Sequence, residues 1–267
     1  MLSRSRLTQL RSLRQKKFRR ENGLFVAEGT KLVLELLASD FVVESVFAKT
    51  EWLKIQHHRL KNVEDVIAVD DDELSRISSL VTPQDVLAIV QIPAVEFDFG
   101  SLEKNYCIVL DGIRDPGNFG TIIRVADWFG MHDMVCSPDC AEVWNPKVVQ
   151  ASMGSLTRVR VHEFPLPDFF RKMNEKYPGQ QAIPVYGTFL EGKSIYETAW
   201  KKNGVVVIGN ESAGIRPETE KFITERITIP AFPGKKEKGA ESLNAAVATS
   251  ITISEIRRNL LEIRPLT

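Results

Sequence analysis

The apolar residues of the chain follow two patterns, short continuous runs and stretches in which they recur every three or four positions. Runs predict buried strands and the recurring stretches predict amphipathic helices. Strands are predicted at 24–29 (with a closing turn), 41–48, 66–69, 85–91, 106–110, 133–136, 157–162, 183–187, 205–209 and 227–229. Helices are predicted at 3–20, 30–38, 51–60, 70–80, 119–130, 147–155, 168–176 and 243–263. This alternation predicts an α/β protein with a parallel sheet in its second part.

Residues 92–104 show neither pattern and mix Pro93 and Gly100 with polar side chains. Such a stretch is typical of a linker between domains. We therefore predict a small α/β domain over 1–95 with a basic N-terminal arm, and a larger α/β domain over 104–267.

Charge is balanced over the whole chain, with 35 Lys and Arg against 35 Asp and Glu, but the first twenty residues carry basic side chains and no acid. Such a cluster can contact nucleic-acid phosphates, or it can be the solvated face of a helix that packs through its leucines. The sequence leaves both interpretations open. The candidate phosphate contacts are Arg14, Lys16, Lys17 and Arg19.

The odd number of cysteines, Cys107, Cys136 and Cys140, argues against a disulfide framework and favours a reducing compartment. The basic N-terminus has no apolar segment behind it, and no apolar run approaches the ~20 residues that span a bilayer. We therefore expect a soluble, cytoplasmic protein without a membrane partner. His132, Cys136 and Cys140 lack the paired spacing of a zinc site, so no metal is predicted and the thiols are expected in the core.

Three polar loops follow predicted strands, at 115–124, 208–214 and 229–244. The carboxyl ends of parallel strands share one edge of a sheet, where α/β proteins bind their ligands. The first loop leads into a helix whose apolar stripe is interrupted by one cation, Arg124. Any one loop could be ordinary turn and cap chemistry. The glycine spacing at 117–120 disfavours a dinucleotide site, and 234–239 lacks the G-K-[ST] of a P-loop.

Taken in order, the three loops resemble the motifs of the SpoU (TrmH-like) class of SPOUT RNA ribose methyltransferases. The matching residues are Asn118, Gly120 and Arg124 in the first loop, Gly209, Asn210, Glu211 and Gly214 in the second, and Ile229, Pro230, Ser242, Leu243 and Asn244 in the third. Residues 151–156 resemble an intermediate segment of the family. Residues 25–29 resemble its small substrate-binding domain, which is related to RNA-binding ribosomal proteins. The chain departs from the family pattern in a longer, charged loop at 232–238 and in Ala245-Ala246 after Asn244.

The resemblance implies a deep trefoil knot near the carboxyl end that holds S-adenosylmethionine, and a homodimer formed through the second domain. The implied cofactor contacts are Thr188, Gly209, Ile229 and Leu243. The implied catalytic set is Arg124, Asn118, Glu211, Ser242 and Asn244. In this set Arg124 is either the base or a charge that stabilises the reacting oxygen or holds a phosphate. Asn118, Ser242 and Asn244 would orient the ribose and Arg124, and Glu211 would hold Arg124 or its neighbours.

The resemblance also implies an RNA substrate and no DNA partner. Ribosomal RNA is the first choice because of the ribosomal-protein-like domain, and transfer RNA is the alternative. A non-catalytic RNA-binding protein on the same fold is the competing class, which the intact set of polar motif residues disfavours.

Overall fold

In a computed structural model, residues 2–232 and 240–262 are described, and they group into two compact units. The first contains the chain up to Ala94 together with Glu142–Thr157, and the second contains Val95–Ala141 and the chain from Arg158 onward. The predicted α/β class is confirmed in both. The domain limits 1–95 and 104–267 stay a prediction, and the grouping differs from them in assigning 142–157 to the first unit.

The helices and strands follow the predicted alternation closely. The helices are α1 (Arg4–Ser12), α2 (Lys16–Asn22), α3 (Thr30–Leu37), α4 (Thr50–Gln56), α5 (Asp71–Ile77), α6 (Pro116–Trp128), α7 (Pro146–Ser152), α8 (Leu166–Lys176), α9 (Pro217–Glu220) and α10 (Ala245–Glu262). The strands are β1 (Leu24–Glu28), β2 (Val43–Ala48), β3 (Asp65–Ala68), β4 (Val86–Gln91), β5 (Tyr106–Asp111), β6 (Asp133–Cys136), β7 (Arg160–Glu163), β8 (Val185–Ser194), β9 (Gly204–Gly209) and β10 (Glu225–Thr228). Short 3₁₀ turns add to these, and α9 was not predicted.

The first unit is built on a four-stranded sheet in the order β1-β4-β2-β3, in which β4 runs antiparallel to both of its neighbours. The sequence predicts one helix over 3–20, but the chain forms α1 and α2 with a turn at 13–15. The prediction was wrong because the N–H groups of Arg14 and Gln15 bond to carbonyls three residues back, and the Leu13 carbonyl accepts the Arg19 side chain at 2.8 Å. The backbone turns at the point where Leu13 is buried, so a single straight helix is not formed.

The segment 142–157 packs on β1 in the first unit. The Trp144 ring packs on Phe25 at a tilt of 34°, with ring centroids 4.7 Å apart, and meets Phe41 edge-on. Glu142 pairs with the buried Arg19, and Val148 and Val149 of α7 are buried. The segment therefore completes the core of a unit from which it is separated in sequence by residues 95–141.

The second unit contains a six-stranded sheet in the order β10-β8-β9-β5-β6-β7, and every pairing in it is parallel. This confirms the predicted parallel sheet. The central strands β9 and β5 are buried almost throughout, as their apolar runs predict. Cys107, Cys136 and Cys140 are buried and form no disulfide, which agrees with their expected place in the core.

Two elements differ from the prediction in ways that matter for the site. Helix α6 begins at Pro116 instead of 119, because Asp115 caps it by accepting the N–H of Asn118 at 2.7 Å. Strand β8 runs to Ser194, and its register with β10 jumps from Gly187 to Lys193. The knot stays a prediction, since residues 233–239 between β10 and α10 lie outside the described part of the chain. Residue 263, the end of the last predicted helix, lies outside it too.

Over residues 2–232 and 240–262, none of the helices combines the length and the apolar character that crossing a bilayer requires. The same ranges contain no cluster of His, Cys, Asp and Glu side chains that could hold a metal ion.

Candidate active site at the carboxyl edge of the parallel sheet

The first two motif loops leave neighbouring strands at the same edge of the sheet. Asp111 at the end of β5 pairs in register with Gly209 at the end of β9. Helix α6 therefore starts beside the loop that carries Glu211. Parallel pairing thus brings together residues that are separated by about ninety positions in sequence.

A chain of side-chain hydrogen bonds links three motif residues across these elements. The Asn244 amide donates to Oδ1 of Asn118 at 2.8 Å, and the Asn118 amide donates to Oε1 of Glu211 at 2.5 Å. Ser242 Oγ lies 3.5 Å from the backbone oxygen of Glu211. The structure thus brings Asn118, Glu211, Ser242 and Asn244 together, as their shared assignment to one site predicts.

The two asparagines of this series of hydrogen bonds, Asn118 and Asn244, both lie at the start of a helix. Asn118 occupies the first turn of α6, below the Asp115 cap. The Asn244 Oδ1 accepts the N–H groups of Ala246 at 3.0 Å and Val247 at 3.3 Å at the start of α10. The cap bonds orient the Asn244 side chain directly and fix the backbone of Asn118 before any ligand arrives, which is the preorganisation that a site of this kind requires.

The loop after β9 is a tight turn that holds Glu211 at its start. Asn210 and Gly214 form an antiparallel bridge, and Oδ1 of Asn210 accepts the N–H groups of Ser212 and Ala213, each at 3.0 Å. A side chain at Gly209 would place its Cβ 2.6 Å from the backbone oxygen of Gly214. Glycine is required at this position because two backbone segments cross there.

Arg124 lies apart from this hydrogen-bonded chain. It is six residues beyond Asn118, which is about 9 Å along the axis of α6. It belongs to an exposed stripe with Gly117, Thr121 and Trp128. Within the described residues its guanidinium has no hydrogen-bond or ion-pair partner. Of the two alternatives expected for Glu211, the structure therefore shows a bond to a neighbour, Asn118, and no bond to Arg124 itself.

The four candidate cofactor contacts lie along the same edge of the sheet. Thr188 is the first residue past the part of β8 that pairs with β9, and its hydroxyl donates to the backbone oxygen of Val207 at 3.1 Å. Gly209 ends β9 and Ile229 follows β10 directly. Leu243 is 45% exposed and stands between the two residues that contact Glu211 and Asn118.

The basic arm divides into buried and exposed side chains. Arg19 is 2% exposed; it forms an ion pair with Glu142 and donates to the backbone oxygen of Leu13 at 2.8 Å. Its assignment to RNA is thus corrected, because its charge is already satisfied inside the first unit. Arg14 is exposed but donates to the carbonyl of Ile77, the last residue of α5, and to that of Ser78, which follows it. Lys16 and Lys17 are exposed.

Sequence reasoning missed a group of charged residues directly below the site. Asp111 is 1% exposed; its Oδ2 accepts the backbone N–H of Arg216 at 3.0 Å and its Oδ1 accepts Nε of the same residue at 2.5 Å. A second arginine nitrogen, Nη2, lies 3.3 Å from Asp139. Burial alone would lower the pKa of Arg216, but the hydrogen bond that its guanidinium donates to Asp111 raises that pKa above the usual arginine value. The only indication of this group in the sequence is Asp111, an acidic residue at the end of an otherwise apolar strand.

Comparison with known proteins matches both parts of the chain. A family model described as the SpoU rRNA Methylase family matches residues 105–254. A model described as the MRM3-like substrate binding domain matches residues 4–88. The first match contains every candidate catalytic residue, and the second contains the basic arm.

Individual relatives match over nearly the whole chain. The 23S rRNA (guanosine(2553)-2′-O)-methyltransferase RlmP of Bacillus subtilis is 28% identical and matches over 92% of this chain and 94% of its own length. The structure of a putative RNA methyltransferase of the TrmH family from Porphyromonas gingivalis is 36% identical, with a TM-score of 0.82 and coverage of 97% and 99%. The SpoU methyltransferase AviRb from Streptomyces viridochromogenes, solved with AdoMet, is 25% identical, with a TM-score of 0.83 and the same coverage.

Proposed function

This chain belongs to the SpoU rRNA methylase family, and on that basis we propose that it methylates a ribose 2′-hydroxyl of RNA with S-adenosylmethionine as donor. The observation that carries the proposal is the hydrogen-bonded chain of Asn244, Asn118 and Glu211 at the carboxyl edge of the sheet. Ribosomal RNA is the proposed substrate, because RlmP of Bacillus subtilis and other relatives are named as rRNA methyltransferases. Transfer RNA is the alternative.

The edge of the sheet suits S-adenosylmethionine. Thr188 follows the part of β8 that pairs with β9, Gly209 ends β9 and Ile229 follows β10, and all three offer backbone groups. The exposed Leu243 and Leu190 offer apolar surface for an adenine ring. Thr228 fixes the second leucine by donating its hydroxyl to the Leu190 carbonyl at 3.1 Å. When bound, the sulfonium supplies an already activated methyl group.

Asn118, Asn244 and Arg124 are proposed to act on the acceptor, the ribose hydroxyl. A ribose hydroxyl is a weak acid, so its oxygen must be aligned and its developing negative charge stabilised. The paired carboxamides can orient the sugar by hydrogen bonds. A guanidinium stays protonated under ordinary conditions, so Arg124 supplies positive charge to the alkoxide or to a neighbouring phosphate.

Transfer of tritium from labelled S-adenosylmethionine to RNA tests this function. The RNA is taken from a strain that lacks the gene, and alkali-resistant dinucleotides report 2′-O-methylation. Label in ribosomal RNA supports the proposal, and label in transfer RNA alone moves the substrate to the alternative. If the protein binds RNA but transfers no tritium to it, the proposed enzymatic function is wrong and the protein is a non-catalytic RNA-binding protein.

The exposed lysines of the arm are proposed to contact RNA phosphates. Replacing Lys16 and Lys17 together by alanine is expected to weaken RNA binding and to reduce the slope of log K against log salt by about 0.7–0.9 per lost contact. Fluorescence anisotropy across a salt series measures the slope. Lys54→Ala, an exposed lysine of α4 paired with Glu51, is the control. An unchanged slope in the double variant would contradict contacts between the arm and RNA phosphates, and the arm would then be the solvated face of a helix.

A homodimer through the second unit is also proposed. Trp128 on α6 is 84% exposed and Val247 on α10 is 46% exposed, and Arg257 ties the two helices by donating to the Phe129 carbonyl at 2.7 Å. We expect the wild type to sediment at about twice the 30.1 kDa chain mass and Trp128→Glu to sediment as a monomer. Val95→Glu, at an apolar residue of the second unit that is 47% exposed, is the control. A monomeric wild type would contradict the proposal.

We propose that the protein is in the cytoplasm, where its three buried cysteines, which form no disulfide, stay reduced. Recovery of the protein with ribosomes and soluble proteins after cell fractionation would support this location. Recovery with membranes would contradict it.

A further inference from the structure

The loop that carries Glu211 is attached at both of its ends to residues that end β5. At the first end, Nδ2 of Asn210 donates to the Gly112 carbonyl at 2.9 Å. At the second end, the backbone N–H and the guanidinium of Arg216 bond to the carboxylate of Asp111. Glu211 lies between these two attachments, so its position depends on both.

Residues that follow β6 bond to the same group of residues. The Gly112 N–H donates to Ser137 Oγ at 2.9 Å, and that hydroxyl donates to Asp139 Oδ1 at 2.7 Å. Asp139 Oδ1 lies 3.3 Å from Nη2 of Arg216, which returns the path to Asp111. The contacts therefore form a closed ring through the ends of β5, β6 and β9. Gly112 has φ = 72°, a left-handed conformation that lets its N–H and carbonyl serve two different partners.

We propose that Arg216 is a positioning residue for methyl transfer, because its fork holds the Glu211 loop against Asp111 and Asp139. The inference rests on the proposed function. The Arg216 side chain is one-third exposed, whereas the Asp111 carboxylate is fully buried. The arginine therefore neutralises a buried negative charge next to the site. The geometry matters as much as the charge, since two nitrogens of one planar group face the Asp111 and Asp139 carboxylates.

The molecule contains a matched pair at the opposite edge of the sheet. Arg160 makes two bonds to Asp133, Nε to Oδ1 at 2.7 Å and Nη2 to Oδ2 at 2.8 Å, at the starts of β7 and β6. Asp133 is also buried. The two pairs are alike in chemistry and differ in distance from the site, so Arg160→Lys controls for the loss of an arginine fork on a buried aspartate.

Arg216→Lys keeps the charge and loses the fork, and Asp111→Asn keeps the shape and loses the charge. For both we expect kcat to fall by about 10–100-fold, as a small misplacement of reacting groups produces, with KM for RNA and cofactor changing less than about threefold. Hydrogen–deuterium exchange should increase in peptides covering 110–120 and 208–216. Arg160→Lys should leave kcat and these peptides unchanged.

Equal losses of kcat in Arg216→Lys and Arg160→Lys would overturn the positioning role, since both would then act through general stability. Wild-type kcat or unchanged exchange in Arg216→Lys would overturn it as well. A wild type that transfers no methyl group would instead refute the proposed function. The exchange measurement requires no activity, so the two failures are distinguishable.

Discussion

Arg124→Ala is expected to lower the rate of RNA methylation by at least ~10²-fold, the usual loss when one electrostatic donor is removed from a site. Cofactor affinity should stay within about twofold of the wild type. The side chain is exposed on α6 and has no partner among the residues that the structure describes, so its removal leaves no buried group unsatisfied. Single-turnover methyl transfer and calorimetric titration with S-adenosylmethionine measure the two quantities.

Arg171→Ala is the control for Arg124, because it removes an exposed arginine from another helix, α8. Both quantities should remain unchanged in it. Loss of cofactor binding in Arg124→Ala would contradict the assigned role, and so would a retained methylation rate.

Arg124→Lys tests the proposed role of this residue as a positive charge against the alternative that it acts as a base. Lysine has an ordinary pKa near 10.4, well below that of arginine. If the side chain acts as a base, the lysine variant should gain rate as pH rises toward that value. If the positive charge is what matters, the variant should lose rate over the same range. The pH–rate profile decides between them.

Arg19→Ala is expected to lower the free energy of unfolding by about 3–5 kcal/mol, the cost of breaking a buried ion pair from one side. The guanidinium and the carboxylate of Glu142 are 2% and 9% exposed, and the variant leaves that carboxylate without its partner. Urea unfolding followed by tryptophan fluorescence measures the change, since Trp144 lies two residues beyond Glu142 and packs against Phe25.

Lys17→Ala is the matched control in the same helix, because its ion pair with Glu21 is exposed and 3.8 Å long. We expect it to change stability by less than about 0.5 kcal/mol. The double variant Arg19→Met with Glu142→Leu should recover most of the lost stability, since replacing both charges removes the desolvation cost. A destabilisation of Arg19→Ala no larger than that of Lys17→Ala would contradict the buried pair.

Local patterns predicted the parts of the fold that local forces decide. The apolar runs located the central strands, and the polar loops after them located the edge where Asn118, Glu211 and Asn244 meet. What the patterns missed depends on distant partners. Arg19 looks like one more charge in a basic run, because its partner Glu142 is 123 residues away. Asp111 and Arg216 are 105 residues apart, so neither predicts the other.

Errors at the ends of elements have similar causes. The start of α6 was placed too late, because the polar residues of its first turn resemble a loop unless the Asp115 cap is recognised. The break between α1 and α2 was missed because the Leu13 carbonyl bonds to the side chain of Arg19, which no local pattern indicates. The extension of β8 was missed because residues 188–194 lose the apolar run that marks its start.

The placement of 142–157 in the first unit has a consequence for synthesis on the ribosome. Chains emerge from the amino end, and N-terminal domains usually fold first. Here the core around Phe25 and Arg19 stays open until Glu142 and Trp144 have been made, after part of the second unit's sheet. The nascent first unit must wait a few seconds at ordinary elongation rates with an aromatic surface and a cation uncovered. During that interval the growing chain is exposed to chaperones and to mispairing with its neighbours on the same message.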